Sequence, residues 1–201
     1  MSSDPPATYS TRATLLLRLN TLDRKHSEIA WQEFHDRYAR VIAGFARNMG
    51  ARPQEIEDVI QEIMLGFFAH APTFVYDPAK GRFRGYLKVC TFRALRDRLR
   101  SKAKFKTTIP LDQISEDDAQ LDQTWEESWS HELLNRATSL VRAEYENNNT
   151  FRAFEMHVLR AKPVDEVAAA LGMSTDSVYK AKQRVTLAIH RHFRALQEEE
   201  G

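Results

Sequence analysis

Residues 163–193 read PVDEVAAALGMSTDSVYKAKQRVTLAIHRHF, and this stretch decides the fold class. Pro163 suits the opening of a short helix, because a first-turn residue needs no backbone N–H partner. Val167, Ala168 and Leu171 give that helix a small apolar face. Gly172 stands where a tight turn needs a left-handed residue. Ser174 is a good N-cap for the next helix, and Asp176 lies favourably in its first turn. Val178, Val185 and Ile189 then point inward at helical spacing. A short helix, a glycine turn and a capped second helix make the helix-turn-helix pattern. Thr175, Asp176, Tyr179, Lys180, Gln183 and Arg184 fall on the outward face of the second helix, within reach of base edges or phosphates.

Outward from this hairpin, the remaining periodicities are also helical. Seven glycines and seven prolines in 201 residues are too few for a turn-rich β protein. Residues 1–10 read as a disordered tail. A helix is expected from about Ser10, with Leu15, Leu16, Leu19 and Leu22 as its apolar set. From about Glu28, Trp31, Phe34, Tyr38, Ile42, Phe45 and Met49 recur at spacings of three and four, one buried stripe. Gly50 can close that helix and Pro53 can open the next. In QEIEDVIQEIMLGFFAHA (54–71), Ile56, Val59, Ile60, Ile63 and Phe67 make a core stripe. Glu55, Asp58 and Glu62 make an acidic stripe on another face. FVYDPAKGRFRGY (74–86) reads as a loop. A basic helix is expected from about Phe83 to Lys104, its apolar stripe Val89, Phe92, Leu95 and Leu99, and its cationic stripe Arg93, Arg96, Arg100 and Lys104.

The charge is segregated. Lys80 to Lys106 carries eleven Lys or Arg and one acid, Asp97, in a chain whose net charge is only +1. Thr107 to Ser130 carries seven acids and no Lys or Arg. The acidic stretch shows little helical periodicity and reads as a linker over 107–130, with a short turn around Trp125 and Trp129. A second helical unit is expected from about His131. Aromatics interleaved with cations (Tyr76, Lys80, Arg82, Phe83, Arg84, Tyr86) suit unpaired bases, which stack on rings while phosphates meet the charges. An acidic face would repel nucleic acid, so Glu55, Glu57, Asp58 and Glu62 suit a basic protein partner.

These motifs together resemble bacterial RNA polymerase sigma factors of the extracytoplasmic-function type, over about residues 15–105 and 131–194. WQEFHDRYARVIAGFARNMG (31–50) is similar to the opening helix of sigma region 2. EIEDVIQEIMLGFF (55–68) resembles the acidic segment that docks on the clamp helices of the polymerase β′ subunit. YDPAKGRFRGYLKVCTFRALRDRLR (76–100) resembles the segment that melts and reads the −10 element, and DEVAAALGMSTDSVYKAKQRV (165–185) the region 4 helix-turn-helix that binds the −35 element.

The resemblance implies an all-α protein of two helical domains, region 2 over 11–106 and region 4 over 131–201, joined by a flexible acidic linker. It implies Asp58, Gln61 and Glu62, flanked by Glu55 and Glu57, as polymerase contacts. It implies Lys80, Arg82, Phe83, Arg84, Tyr86, Lys88, Arg93, Arg96 and Arg100 as −10 contacts. The outward residues of the second hairpin helix become −35 contacts. The implied partners are core polymerase (the β′ clamp helices and the β subunit), promoter DNA and an anti-sigma factor. Three positions depart from the family pattern. Tyr86 replaces a Trp, Arg93 replaces a common Asn, and Val178-Tyr179-Lys180-Ala181 stands for a segment that usually ends in Arg.

Other chemistries find no support in the residues. GRFRG (81–85) lacks the Gly-Lys-Ser/Thr ending of a phosphate loop. His190 and His192 are two apart on a helix and share no face. No catalytic constellation, metal spacing or cofactor motif is evident, so no enzyme activity and no cofactor are expected. No apolar run approaches a membrane span, and a single cysteine, Cys90, suits a reducing cytoplasm. The rival readings are a stand-alone helix-turn-helix regulator and a protein that binds polymerase without reading a promoter.

Overall fold

The computed structural model describes residues 15, 18–19, 24–70, 83–101, 119–146 and 148–200, and every regular element among them is helical. The chain divides into two compact units, residues 1–132 and 133–201. The tail 1–10, the loop residues 71–82 and the first half of the expected linker, 107–118, lie outside the described residues.

In the first unit, α1 (Arg24–Asn48) carries the expected stripe: Phe34, Tyr38, Ile42 and Phe45 are fully buried, and Met49 nearly so. Gly50 ends it at φ 85°. That left-handed turn lets the Ala51 N–H reach the Ala46 carbonyl at 3.0 Å, closing the helix end. Pro53 then opens α2 (Pro53–His70). Ile56, Val59, Ile63 and Phe67 are buried as the periodicity requires. Phe67 stacks on Phe34, with centroids 4.8 Å apart and planes 4° from parallel. Phe83, the first residue of α3 (Phe83–Ser101), stands edge-on to both rings.

The buried set of α3 differs from the expected stripe. It comprises Phe83, Leu87, Thr91, Phe92, Ala94 and Leu95, while Val89 is half-buried. A fourth helix also meets α3. The first half of α4 (Ala119–Glu144) meets α3 through the Arg84–Glu126 and Lys88–Asp122 pairs. Residues 119–130, expected to be linker with a short turn, are continuous helix. Leu121, Trp125 and Trp129 recur every fourth residue and are 2%, 1% and 3% exposed. Trp125 packs on Phe45 and Trp129 on Tyr38, at 5.1 and 6.1 Å. Ser128 accepts a hydrogen bond from Asn48 at 3.1 Å. Burying two indoles is worth several kcal/mol at roughly 25 cal/mol per Å², so this half of α4 belongs to the first unit.

The second unit contains the rest of α4, then α5 (Asn149–Phe154), α6 (Val164–Leu171) and α7 (Thr175–Glu200). Asn148 caps α5 by accepting the Thr150 N–H at 2.8 Å. A π-helical stretch, Glu155–Leu159, follows α5 directly. Val141, Phe151, Phe154 and Val185 form one small core. Ala153, Val167, Ala168 and Val178 form a second. Gly172 has φ 62°, and Ser174 Oγ accepts the Ser177 N–H at 3.1 Å, so turn and cap stand where the sequence puts them.

Candidate functional site

The sequence-derived site residues fall into three groups, and the structure treats each differently. On α2, Glu57, Asp58, Gln61 and Glu62 are exposed along one side of the helix. Glu55 is not with them. It is 6% exposed, and its carboxylate accepts the Arg52 backbone N–H at 2.8 Å. This is the return half of a capping box, which satisfies a donor that the helix start leaves open. Glu55 therefore holds the helix end and is withdrawn from the acidic surface. Glu62 is joined to α3, where the Arg98 guanidinium bonds its carboxylate. Arg98 also donates to the Asp58 carbonyl at 3.3 Å. Sequence reasoning passed over Arg98 because it lies outside the expected cationic stripe.

On α3 the expected nucleic-acid residues divide between faces. Lys80 and Arg82 lie outside the described residues, and for Arg100 only the helical backbone is described. Phe83 is 1% exposed among Phe34, Tyr38 and Phe67, so its ring anchors the core and meets no base. Arg84 and Lys88 are turned to α4. Arg84 pairs with Glu126 at 3.0 Å, with its guanidinium 5.7 Å over the Trp129 ring. Lys88 pairs with Asp122. In the sequence alone these acids read only as linker charge. Their spacing of four matches the spacing of Arg84 and Lys88, and that was the available signal.

Tyr86 and Arg93 are exposed on the remaining face, and Arg96 is half-buried beside them, 5.8 Å over the Phe92 ring. Tyr86 is 45% exposed, with its hydroxyl bonded to the Cys90 thiol one turn along. Partial burial of that hydroxyl, reinforced by the thiol, pushes its pKa up to about 12. It is therefore a neutral donor with an accessible ring across the physiological range. Burial likewise raises the Cys90 thiol, against the lowering pull of Tyr86 and Arg93. This face can stack a base and contact phosphates.

In the second unit, Thr175, Asp176, Tyr179, Lys180, Gln183 and Arg184 are all exposed on α7. Lys180 bonds Asp176 at 2.7 Å, one turn apart. Tyr179 stands edge-on to His157, with centroids 5.7 Å apart. α6 supports α7 through Val167 and Val178, both fully buried. The hairpin thus presents a polar helix face on a small apolar base, the shape that fits a major groove.

Residues 34–105 match the family model of sigma-70 region 2. The region 2 match takes in most of α1 and all of α2 and α3, and so includes both the acidic side of α2 and the open face of α3. It supports a sigma-factor role in promoter recognition, with core RNA polymerase and promoter DNA as partners. No curated protein and no solved structure matches the chain. Among the described residues, no helix is long and apolar enough to cross a membrane.

Proposed function

We propose that this protein is a sigma factor of the extracytoplasmic-function type, which binds core RNA polymerase and directs it to promoters with its own −10 and −35 elements. The observation that carries the reading is the region 2 match, which falls on a chain segment with an exposed acidic helix side and a separate basic, aromatic face. Glu57, Asp58, Gln61 and Glu62 of α2 meet the β′ clamp helices, where arginine partners would form charge-assisted bonds. Tyr86, Arg93, Arg96 and Arg100, with Lys80 and Arg82 before them, hold the −10 strand. Unstacking a base costs a few kcal/mol, which stacking on Tyr86 offsets in part. The α7 face reads the −35 element. The protein is not an enzyme; polymerase supplies the chemistry. Regulation by an anti-sigma factor, by a kinase or by expression alone is compatible with this reading, and the cytoplasm is the expected compartment.

The test is run-off transcription. Core polymerase from the same organism, with and without the protein, is offered a pool of genomic promoter fragments. Discrete transcripts that require the protein establish the reading, and their start sites give the two elements. Absence of transcripts with folded protein overturns it. Binding to core by size exclusion then separates a polymerase-binding decoy from a stand-alone helix-turn-helix regulator.

A further inference from the structure

In the second unit, His157 and Tyr179 meet edge-on, with ring centroids 5.7 Å apart and planes at 85°. The contact begins in the π-helical stretch Glu155–Leu159. There the Arg160 N–H reaches the Glu155 carbonyl at 2.9 Å, and the Lys162 N–H reaches the Met156 carbonyl at 3.0 Å. Such a turn is wider than an α-turn. Met156 packs on the small core of Ala153, Val167 and Val178, and the next residue, His157, meets Tyr179. The imidazole is anchored on its other side as well. Its Nδ1 lies 3.0 Å from the Lys162 carbonyl oxygen. A carbonyl only accepts, so Nδ1 carries the proton and donates. That carbonyl is itself held in place. Ala161 before it is a non-glycine residue at φ 52°, and the Lys162 ammonium bonds Glu166 of α6. Left-handed backbone without glycine persists where the surroundings over-determine it.

We propose that His157 is a positioning residue for promoter reading. It holds the Tyr179 ring so that α7 selects a thymine, through its C5-methyl group, at one step of the −35 element. The inference rests on the reading of α7 as the −35 helix and deepens it by naming a base. Thr175, Asp176, Lys180, Gln183 and Arg184 offer hydrogen bonds or charge. Tyr179 alone among these outward residues carries a large apolar surface, and it is 52% exposed. The apolar feature of the major groove is the thymine methyl. An exposed aromatic on a helix divides its time between rotamers, and fixing it on binding costs affinity. His157 fixes the ring in advance. Loss of the ring contact should therefore weaken thymine selection about threefold, part of the cost of immobilising one side chain. Gln183 and Arg184 have no part in the ring contact, so bases that they read should be chosen as before.

The test uses holoenzyme assembled from the full chain and core polymerase of the same organism. It is offered duplex promoter fragments with the −35 region randomised, and the bound fragments are sequenced. Wild type should prefer thymine about fivefold at one position, the lower range for a single base pair. Y179A should lose that preference. H157N keeps an N–H for the Lys162 carbonyl and removes the ring. It should reduce the thymine preference about threefold, with the other positions and the circular dichroism melt unchanged. H157F keeps a ring and should restore the preference. An H157N profile equal to wild type would overturn the proposal, as would a loss spread evenly over all positions. So would H157F behaving as H157N does, or Y179A keeping every preference. If H157N melts early, the double variant H157N/Y179A decides. Its profile should equal that of Y179A, and any further loss refutes a role through Tyr179. Wild-type holoenzyme with no base preference in the −35 region would instead refute the reading of α7 itself.

Discussion

Trp125 stands edge-on to Phe45, with ring centroids 5.1 Å apart and planes at 79°, although 80 residues and an acidic stretch separate them in the chain. This pair makes the start of α4 part of the first unit's core. Trp125→Ala should therefore destabilise that unit by about 3–5 kcal/mol, the usual cost of removing a buried indole. All three tryptophans, Trp31, Trp125 and Trp129, lie in the first unit, so a denaturant melt followed by fluorescence reads it alone. Amide exchange should show protection over 121–132 in the wild type and its loss in the variant. Fast exchange in the wild type would return these residues to a linker.

The misreading of this segment shows where sequence patterns mislead. Acids at 122, 126 and 127 made the stretch look like a solvated run. The signal for helix was the repeat Leu121, Trp125, Trp129, Leu133, which needs only one residue per turn to be apolar when two of the four are indoles. The α1 and α2 stripes and the α6–α7 turn were legible because local chemistry determines them: helical spacing, a positive-φ glycine, a serine cap. The site was legible as residue types and only partly as surfaces. A lone Phe83 among cations reads equally as a base platform or a core anchor until α1 and α2 are in place. Nothing local says that Arg84 and Lys88 turn toward acids more than thirty residues away.

Glu55 separates structural from partner-facing charge on α2. Glu55→Ala removes the bond to the Arg52 N–H and should cost about 1 kcal/mol of stability. Glu55→Gln can still reach back to that N–H, so it should leave both stability and polymerase affinity close to wild type. Thermal unfolding and a core-binding titration check this. A large loss of affinity in Glu55→Gln at unchanged stability would place Glu55 on the partner surface after all.

The Tyr86–Cys90 pair gives a pH signature. Partial burial raises the Tyr86 pKa in the folded state from 10.0 to about 12, so folding favours the protonated phenol. The stabilisation this represents is complete below pH 10 and is lost as pH rises through about 12. Absorbance titration of the phenolates should lose part of its late-titrating component when Tyr86 is replaced by Phe. Cys90 is the single cysteine, and burial raises its thiol too. Its alkylation by iodoacetamide at pH 8 should run slower than that of a free thiol. A rate equal to that of free cysteine would contradict the half-buried thiol.

Gly172 is required by conformation and not by space. Its φ is 62°, and a Cβ there would meet nothing within 4 Å. Gly172→Asn should be tolerated, since Asn adopts left-handed backbone readily, while Gly172→Val should cost roughly 2 kcal/mol or more. Circular dichroism melts of the full chain, with the tryptophan signal subtracted as the first unit's reporter, measure the second unit. Equal melting of the Asn and Val variants would mean that the turn rearranges, and that the α6–α7 geometry does not depend on Gly172.

Arg98 changes how the acidic side of α2 should be probed. Charge reversal at Glu62 would set one guanidinium against another, since Arg98 already bonds that carboxylate. Glu62→Arg should therefore lose stability as well as any partner, and its loss of binding would be ambiguous. The Asp58 side chain is exposed, and only its backbone carbonyl is engaged by Arg98. Asp58→Arg should leave the fluorescence melt within about 0.5 kcal/mol of wild type, as an exposed helix substitution does. If α2 is the polymerase-binding side, the same variant should weaken core binding at least tenfold, because an attraction to a basic partner becomes a repulsion. Glu62→Gln should weaken it less, about threefold, since the amide keeps its acceptor oxygen and loses only the charge. Raised salt should narrow the gap between wild type and both variants, because the lost term is screened. Asp58→Arg that binds core polymerase with wild-type affinity would remove α2 from the interface, whatever the transcription assay shows for the chain as a whole.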